Sequence, residues 1–120
     1  MNRTDSELFF EGIALFNSGK YYECHDLMEY LWGHGEDELR NLYKGILHLA
    51  VALYHFRNHN LKGAASLLES GIHLLGEYPP LTAGVDITLL LSNADTFLRQ
   101  IRKGDLELCR TFDIIREVEK

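Results

Sequence analysis

The feature that most limits the fold lies near the middle of the chain. Between Tyr43 and Phe56 the strongly polar residues are Lys44, His48 and His55 alone. A helix that is apolar on nearly every side must be covered on nearly every side, which places it at the centre of a helical assembly. A bilayer could also cover such a helix, but a span requires roughly 20 apolar residues. The least polar run, Gly45 to Phe56, falls well short and carries two histidines. The expectation is a core helix of an all-α domain, with no membrane partner.

The rest of the chain supplies helices to surround it. Thr4-Asp5-Ser6-Glu7 has the capping-box form, so a first helix is expected from about Asp5 to Asn17, stopped by Ser18-Gly19. A second, from about Lys20 to Trp32, places Tyr21, Cys24, Leu27, Met28 and Leu31 on one stripe and ends at Gly33 and Gly35. The central helix spans about Glu36 to Asn58. A fourth is capped by Asn60 and reaches Gly76, Pro79-Pro80 forces an extended segment, and a fifth runs from a cap at Asp86 to Gly104. The tail, 104–120, is compatible with helix or with extended chain.

Ile13-Ala14-Leu15-Phe16 is echoed by Val51-Ala52-Leu53-Tyr54, and Leu27-Met28 by Leu67-Leu68, each pair straddling a helix-helix turn. The first hairpin has a tetratricopeptide-like distribution of small residues, but two units are too few for a solenoid. The pattern gives a single compact bundle of about five helices, built from two stacked helical hairpins plus a closing helix. At 120 residues one domain suffices, with a core over about 5–103.

The net charge of −6, without a basic cluster, disfavours nucleic acid. Two distant cysteines, Cys24 and Cys109, form neither a disulfide framework nor a paired-thiolate motif. The N-terminus shows neither an apolar signal core nor a cleavage site, and a reducing, cytoplasmic setting is expected. Helical faces left uncovered would serve a protein partner or a homo-oligomer.

Chemistry is concentrated in a few side chains. His25 and Glu29 stand four apart on the second helix and can reach one point. His48 and His55 stand seven apart on the central helix, with Gly45 and Ala52 leaving room there for a neighbour. Were the two ridges to face each other, His25, Glu29, His48 and His55 would offer a divalent metal three imidazoles and a carboxylate, with Asp26 or Glu23 behind them. The alternative is a hydrogen-bonded polar cluster that holds the fold together. Trp32, Tyr22, Tyr30, Tyr43 and Tyr54 are candidates for a groove or pocket wall, or for core and rim. Cys24 lies on the apolar stripe, where burial makes a poor nucleophile. Glu7, Glu11, Glu36, Asp37 and Glu38 read as solvated or helix-start charge. There is no phosphate loop, nucleophile elbow or zincin motif.

Phe16-Asn17-Ser18-Gly19-Lys20-Tyr21-Tyr22-Glu23-Cys24-His25-Asp26, followed by Glu29 and Trp32, resembles the domain of unknown function family 309. Tyr43-Lys44-Gly45-Ile46-Leu47, Ala50-Val51-Ala52-Leu53-Tyr54-His55, Asn60, Gly63-Ala64 and Gly84-Val85-Asp86 extend the resemblance over most of residues 8–100. It implies a small helical bundle with His25, Glu29, Trp32, His55 and Asn60 at characteristic positions, and no established reaction. At His48 the family pattern often carries a glutamine-like residue. Two functions follow as expectations. One is a non-catalytic binding or scaffolding module organised around His25, Glu29, Trp32 and His55. The other is a metal-dependent hydrolase or oxidoreductase using the four candidate ligands.

Overall fold

The computed structural model describes residues 3–117. Five helices follow one another: α1 (Asp5–Asn17), α2 (Tyr21–His34), α3 (Arg40–Arg57), α4 (Leu61–Leu75) and α5 (Ile87–Lys103). Each packs principally on its sequence neighbours, so the molecule is a row of antiparallel helices measuring 46 × 27 × 23 Å. α1 and α2 form one hairpin, α3 and α4 the second, and α5 covers α4. This is the all-α architecture expected from the sequence.

Local chemistry sets the helix ends. Thr4 Oγ1 accepts from the Glu7 amide while the Glu7 carboxylate accepts from the Thr4 amide, completing the capping box. These hydrogen bonds to the Thr4 backbone and hydroxyl hold the Glu7 carboxyl below its usual range. Asn60 and Asp86 cap α4 and α5 through the amides of Gly63 and Leu89. Gly104 ends α5 at φ 79°, in the left-handed region where a side chain is strained.

Two helix boundaries differ from expectation. α2 runs through Gly33 to His34 instead of stopping at Trp32; Gly33 is not among the glycines at positive φ, so it tolerates helix, at some cost, without forcing a turn. The central helix begins at Arg40 and not near Glu36. A separate 3-10 turn, Asp37–Leu39, precedes it, and its start is braced by Tyr78, whose hydroxyl donates to Glu38 O and accepts from the Leu42 amide.

α3 is central, with Leu42, Tyr43, Ile46, Leu49, Ala50, Ala52 and Leu53 all buried. Its closest approach is to α4. A Cβ at Gly45 would lie 2.7 Å from Leu75 Cγ, and one at Gly71 would lie 2.8 Å from Leu49 Cδ2 and 3.0 Å from Gly45 O. The two helices cross at facing glycines, and any side chain there would force them apart.

After Pro79-Pro80 the chain forms a hairpin of two short antiparallel strands, β1 (Leu81–Thr82) and β2 (Val85–Asp86). The turn residues Ala83 and Gly84 both have positive φ, 49° and 77°. This geometry suits a two-residue hairpin turn, and the alanine disguised it in the sequence.

The tail is now defined as far as residue 117; residues 118–120 lie outside the described residues. A 3-10 turn at Leu106–Leu108 leads into extended chain that bridges Val85 at Arg116. Phe112 packs between Phe16 of α1 and Phe97 of α5, at centroid distances of 5.9 and 6.0 Å. Ile114 is buried, and Asn17 brackets its peptide, donating to the carbonyl at 3.0 Å and accepting from the amide at 2.7 Å. The tail thus ties the first helix to the last.

The two kinds of helical glycine should separate in stability measurements. Gly71→Ala should lower stability by about 1–3 kcal/mol, because the added methyl meets Leu49 and backbone. Gly33→Ala, with open space around it, should raise stability by about 0.5–1 kcal/mol. Urea denaturation of both variants checks this, and a neutral Gly71→Ala would refute the tight crossing.

Candidate functional site

α2 and α3 pack along their length, and near the C-terminal end of α3 they leave a pocket of about 180 Å3. It is lined by Tyr21, Tyr22, His25, Val51, Tyr54 and His55. Two periodicities build it. Tyr21, Tyr22 and His25 rise from the first turns of α2, and Val51, Tyr54 and His55 stand at i, i+3 and i+4 on α3. The rings contact one another in sequence, with centroids at 5.7 Å for Tyr22–His25, 6.0 Å for Tyr22–Tyr54 and 6.1 Å for Tyr54–His55. Arg57 closes one side, lying 5.0 Å over the Tyr21 ring while donating to Gly19 O.

Each histidine is oriented by a different partner. His25 Nε2 lies 3.1 Å from Glu29 and its Nδ1 3.2 Å from Asp26, so both ring nitrogens face carboxylates. His55 Nδ1 lies 3.4 Å from the side-chain amide of Asn60, the residue whose carbonyl oxygen caps α4. That amide donates, so Nδ1 accepts and the neutral ring carries its proton on Nε2. Asn60 therefore couples the α3–α4 turn to the pocket wall.

The expected five-residue cluster is thus only partly assembled. His25, Glu29, His55 and Asn60 belong to the pocket or to its immediate support. Trp32 stands apart, over a groove of about 520 Å3 that it shares with Arg40, Asn41, Lys44, Glu77 and Tyr78. There the Arg40 guanidinium lies 4.6 Å and the Lys44 ammonium 5.8 Å from its ring. Trp32 is 37% exposed and turned to these cations, away from the tyrosine–histidine pocket. Tyr30 stacks on His34 at 4.3 Å, and Tyr43 faces the opposite end of α3.

The four candidate metal ligands are divided between two helix interfaces. His48 Nδ1 hydrogen-bonds Ser70 of α4 at 2.8 Å, so it faces away from His25. The small residues Gly45 and Ala52 admit a neighbouring helix as expected, but that neighbour is α4, through Gly71, and not α2. Among the described residues no three His, Cys, Asp or Glu side chains converge as a metal-binding group.

The His25–Glu29 pair is also not a buried one. His25 is 25% and Glu29 62% exposed, and no polar or charged residue is buried among the described residues. Such a pair contributes about 0–1 kcal/mol rather than the several expected from a desolvated pair. Cys24 is fully buried, and burial pushes its thiol up to about 12, so the adjacent His25 has no thiolate to work with. The wall residues Tyr21 and Val51 escaped the sequence reading, although the Tyr21–His25 and Val51–His55 spacings were there to be read.

A helical-hairpin domain with a tyrosine–histidine pocket between its second and third helices is the class these residues define. Residues 9–67 match the family described as Domain of unknown function (DUF309). The match ends at Leu67, short of the Gly84-Val85-Asp86 included in the expected resemblance. Two uncharacterized proteins are similar. One, from Aquifex aeolicus (strain VF5), is 25% identical over 84 residues, 69% of this chain and 25% of the relative. The other, YpuF of Bacillus subtilis (strain 168), is 41% identical over 56 residues, 46% of this chain and 32% of the relative. The chain thus matches between a quarter and a third of the length of these relatives. No helix among the described residues is long and apolar enough to cross a membrane.

His48 gives a pH-dependent consequence. Burial lowers its affinity for a proton below that of an ordinary imidazole, 6.5, and the Lys44 ammonium acts in the same direction. The unfolded chain binds that proton more readily, so the contribution of neutral His48 is complete above about 6.5. It is lost as pH falls through that value toward the lower folded one. His48→Gln, which cannot titrate, should therefore lose less stability than wild type between about pH 7.5 and about pH 5. Parallel denaturation profiles for the two proteins would exclude this role for His48.

Proposed function

We propose that the chain is a non-catalytic binding module that holds one bulky apolar side chain of a protein partner in the α2–α3 pocket. The observation that carries this is the lining: three tyrosines, a valine and two imidazoles surround about 180 Å3 between α2 and α3. Pockets for whole small molecules run to roughly 300–1,000 Å3. This one suits a single side chain, the scale at which protein interfaces concentrate their binding energy. Tyr22, 58% exposed at the rim, adds the amphipathic aromatic surface such interfaces favour. His55, whose Nδ1 faces Asn60, would offer its Nε2 to a polar group of the partner at the rim. In the relatives the matching segment is a minor part of a longer chain, an arrangement in keeping with a module that tethers or recruits.

The pocket can be tested without the partner. Titration with p-cresol, a free tyrosine side chain, should give saturable NMR shifts at Val51, Tyr54 and His55. Val51→Phe, which fills the cavity from within, should abolish them while leaving the protein folded. Equal shifts in the filled variant, or none in wild type, would sink the reading.

A further inference from the structure

A second cavity, of about 270 Å3, opens toward the other end of α3, where the first turn of α1, the 3-10 turn and the β1–β2 hairpin meet. It is lined by Phe9, Phe10, Leu39 and Tyr43, by Ala83 and Gly84 of the hairpin turn, and by the acidic residues Asp5 and Glu36. Tyr43 and Tyr54 are 11 positions apart, about 17 Å along a helix, so this cavity is separate from the pocket described above.

Its polarity is divided. At one end Asp5 and Tyr43 flank Gly35, whose Cβ would stand 3.5 Å from Asp5 Oδ2 and 2.9 Å from Tyr43 Cε2; Glu36 is the next residue. At the other end Gly84 faces the Phe10 ring, with 3.9 Å between the corresponding Cβ position and Phe10 Cζ. Tyr43 is 2% exposed, lines the cavity, and makes no side-chain hydrogen bond with the described residues. Burial raises its phenol above the ordinary value, and the Asp5 and then the Glu36 charge push it the same way. Neither carboxylate forms an ion pair among the described residues. By contrast Glu7, on the same turn as Asp5, is used by the capping box.

We propose that this cavity binds a lysine side chain of a partner protein. Asp5, Glu36 and Tyr43 line the cavity together and offer three kinds of oxygen acceptor, two of them charged, to the three N–H donors of a primary ammonium. The Phe9, Phe10 and Leu39 surfaces accommodate the four-carbon stem. Aromatic faces here accept cations, for Arg116 already lies 3.6 Å over the Phe10 ring. A guanidinium is planar and prefers a bidentate carboxylate, whereas separate acceptors suit the compact ammonium. Lysine is also favoured over a free diamine, whose second ammonium would meet the like charge of Arg116 at the Phe10 end. The net charge of −6 draws a cation toward the protein.

The test is NMR titration of the full chain with Nα-acetyl-lysine methylamide, its norleucine counterpart and cadaverine. The lysine derivative should produce saturable shifts at Phe9, Phe10 and Leu39, with norleucine and cadaverine binding more weakly. Asp5→Asn and Glu36→Gln should each weaken lysine binding by roughly two- to fivefold, and together by roughly tenfold, the range for partly exposed ion pairs. Both substitutions leave the Thr4–Glu7 cap intact, and an unchanged melting temperature verifies folding of the double variant. Equal binding of lysine and norleucine, or wild-type affinity in the folded double variant, would overturn the proposal. Tighter binding of cadaverine would overturn the assignment to a protein lysine.

Discussion

The close crossing of α3 and α4 at Gly45 and Gly71 is the constraint on which the remaining geometry depends. With neither helix presenting a Cβ at the contact, the backbones approach until Leu49 and Leu75 lie over the opposing glycines. That approach determines the rotation of α3 about its axis. Once Gly45 faces α4, His48 one turn later meets Ser70, and Val51, Tyr54 and His55 are left to face α2. The tyrosine–histidine pocket is therefore a by-product of a contact made on the far side of the same helix. An apolar helix contacted on both flanks can be turned only by changing both interfaces together.

The aromatic residues divide into two populations with different physical tasks. Phe16, Phe56, Phe97 and Phe112 form a continuous series of ring contacts on the core, joining α1, α3, α5 and the tail. The tyrosines and Trp32 lie mostly at the margins, where a ring can cover apolar surface and still present a polar edge or a face to a cation. The α2–α3 pocket is framed by this second population. The interior holds no buried polar network among the described residues, so recognition chemistry can vary at the rims with little consequence for the core.

Much of the fold was legible because its punctuation is local. Thr4 with Glu7, Asn60, Asp86 and Gly104 mark helix ends through interactions spanning three or four residues, and the apolar run of α3 announced its central position. The site was less legible because it depends on which helix faces which ridge. Helical periodicity shows that Gly45, His48 and Ala52 share a side, and small residues show that something packs there. Neither distinguishes α2 from α4, and the metal-ligand grouping rested on the wrong choice. Trp32 was misplaced for a related reason: its cationic neighbours, Arg40 and Lys44, belong to the next helix, and the 3-10 turn that brings them beneath it has no strong sequence signal. The hairpin was hidden by Ala83, a residue seldom found at positive φ.

The Asn17–Ile114 bracket has a kinetic meaning. The helix-to-helix interfaces join elements that follow one another, so most of the structure can form by closing short loops, the condition for rapid folding. The Asn17 amide instead links residues 97 positions apart and mimics, with one side chain, the two hydrogen bonds of a neighbouring strand. It can form only after the intervening helices have brought the chain ends together. The Ile114 N–H thereby becomes a natural gauge of closure: its exchange with solvent reports how often the completed row of helices lets go of its own end.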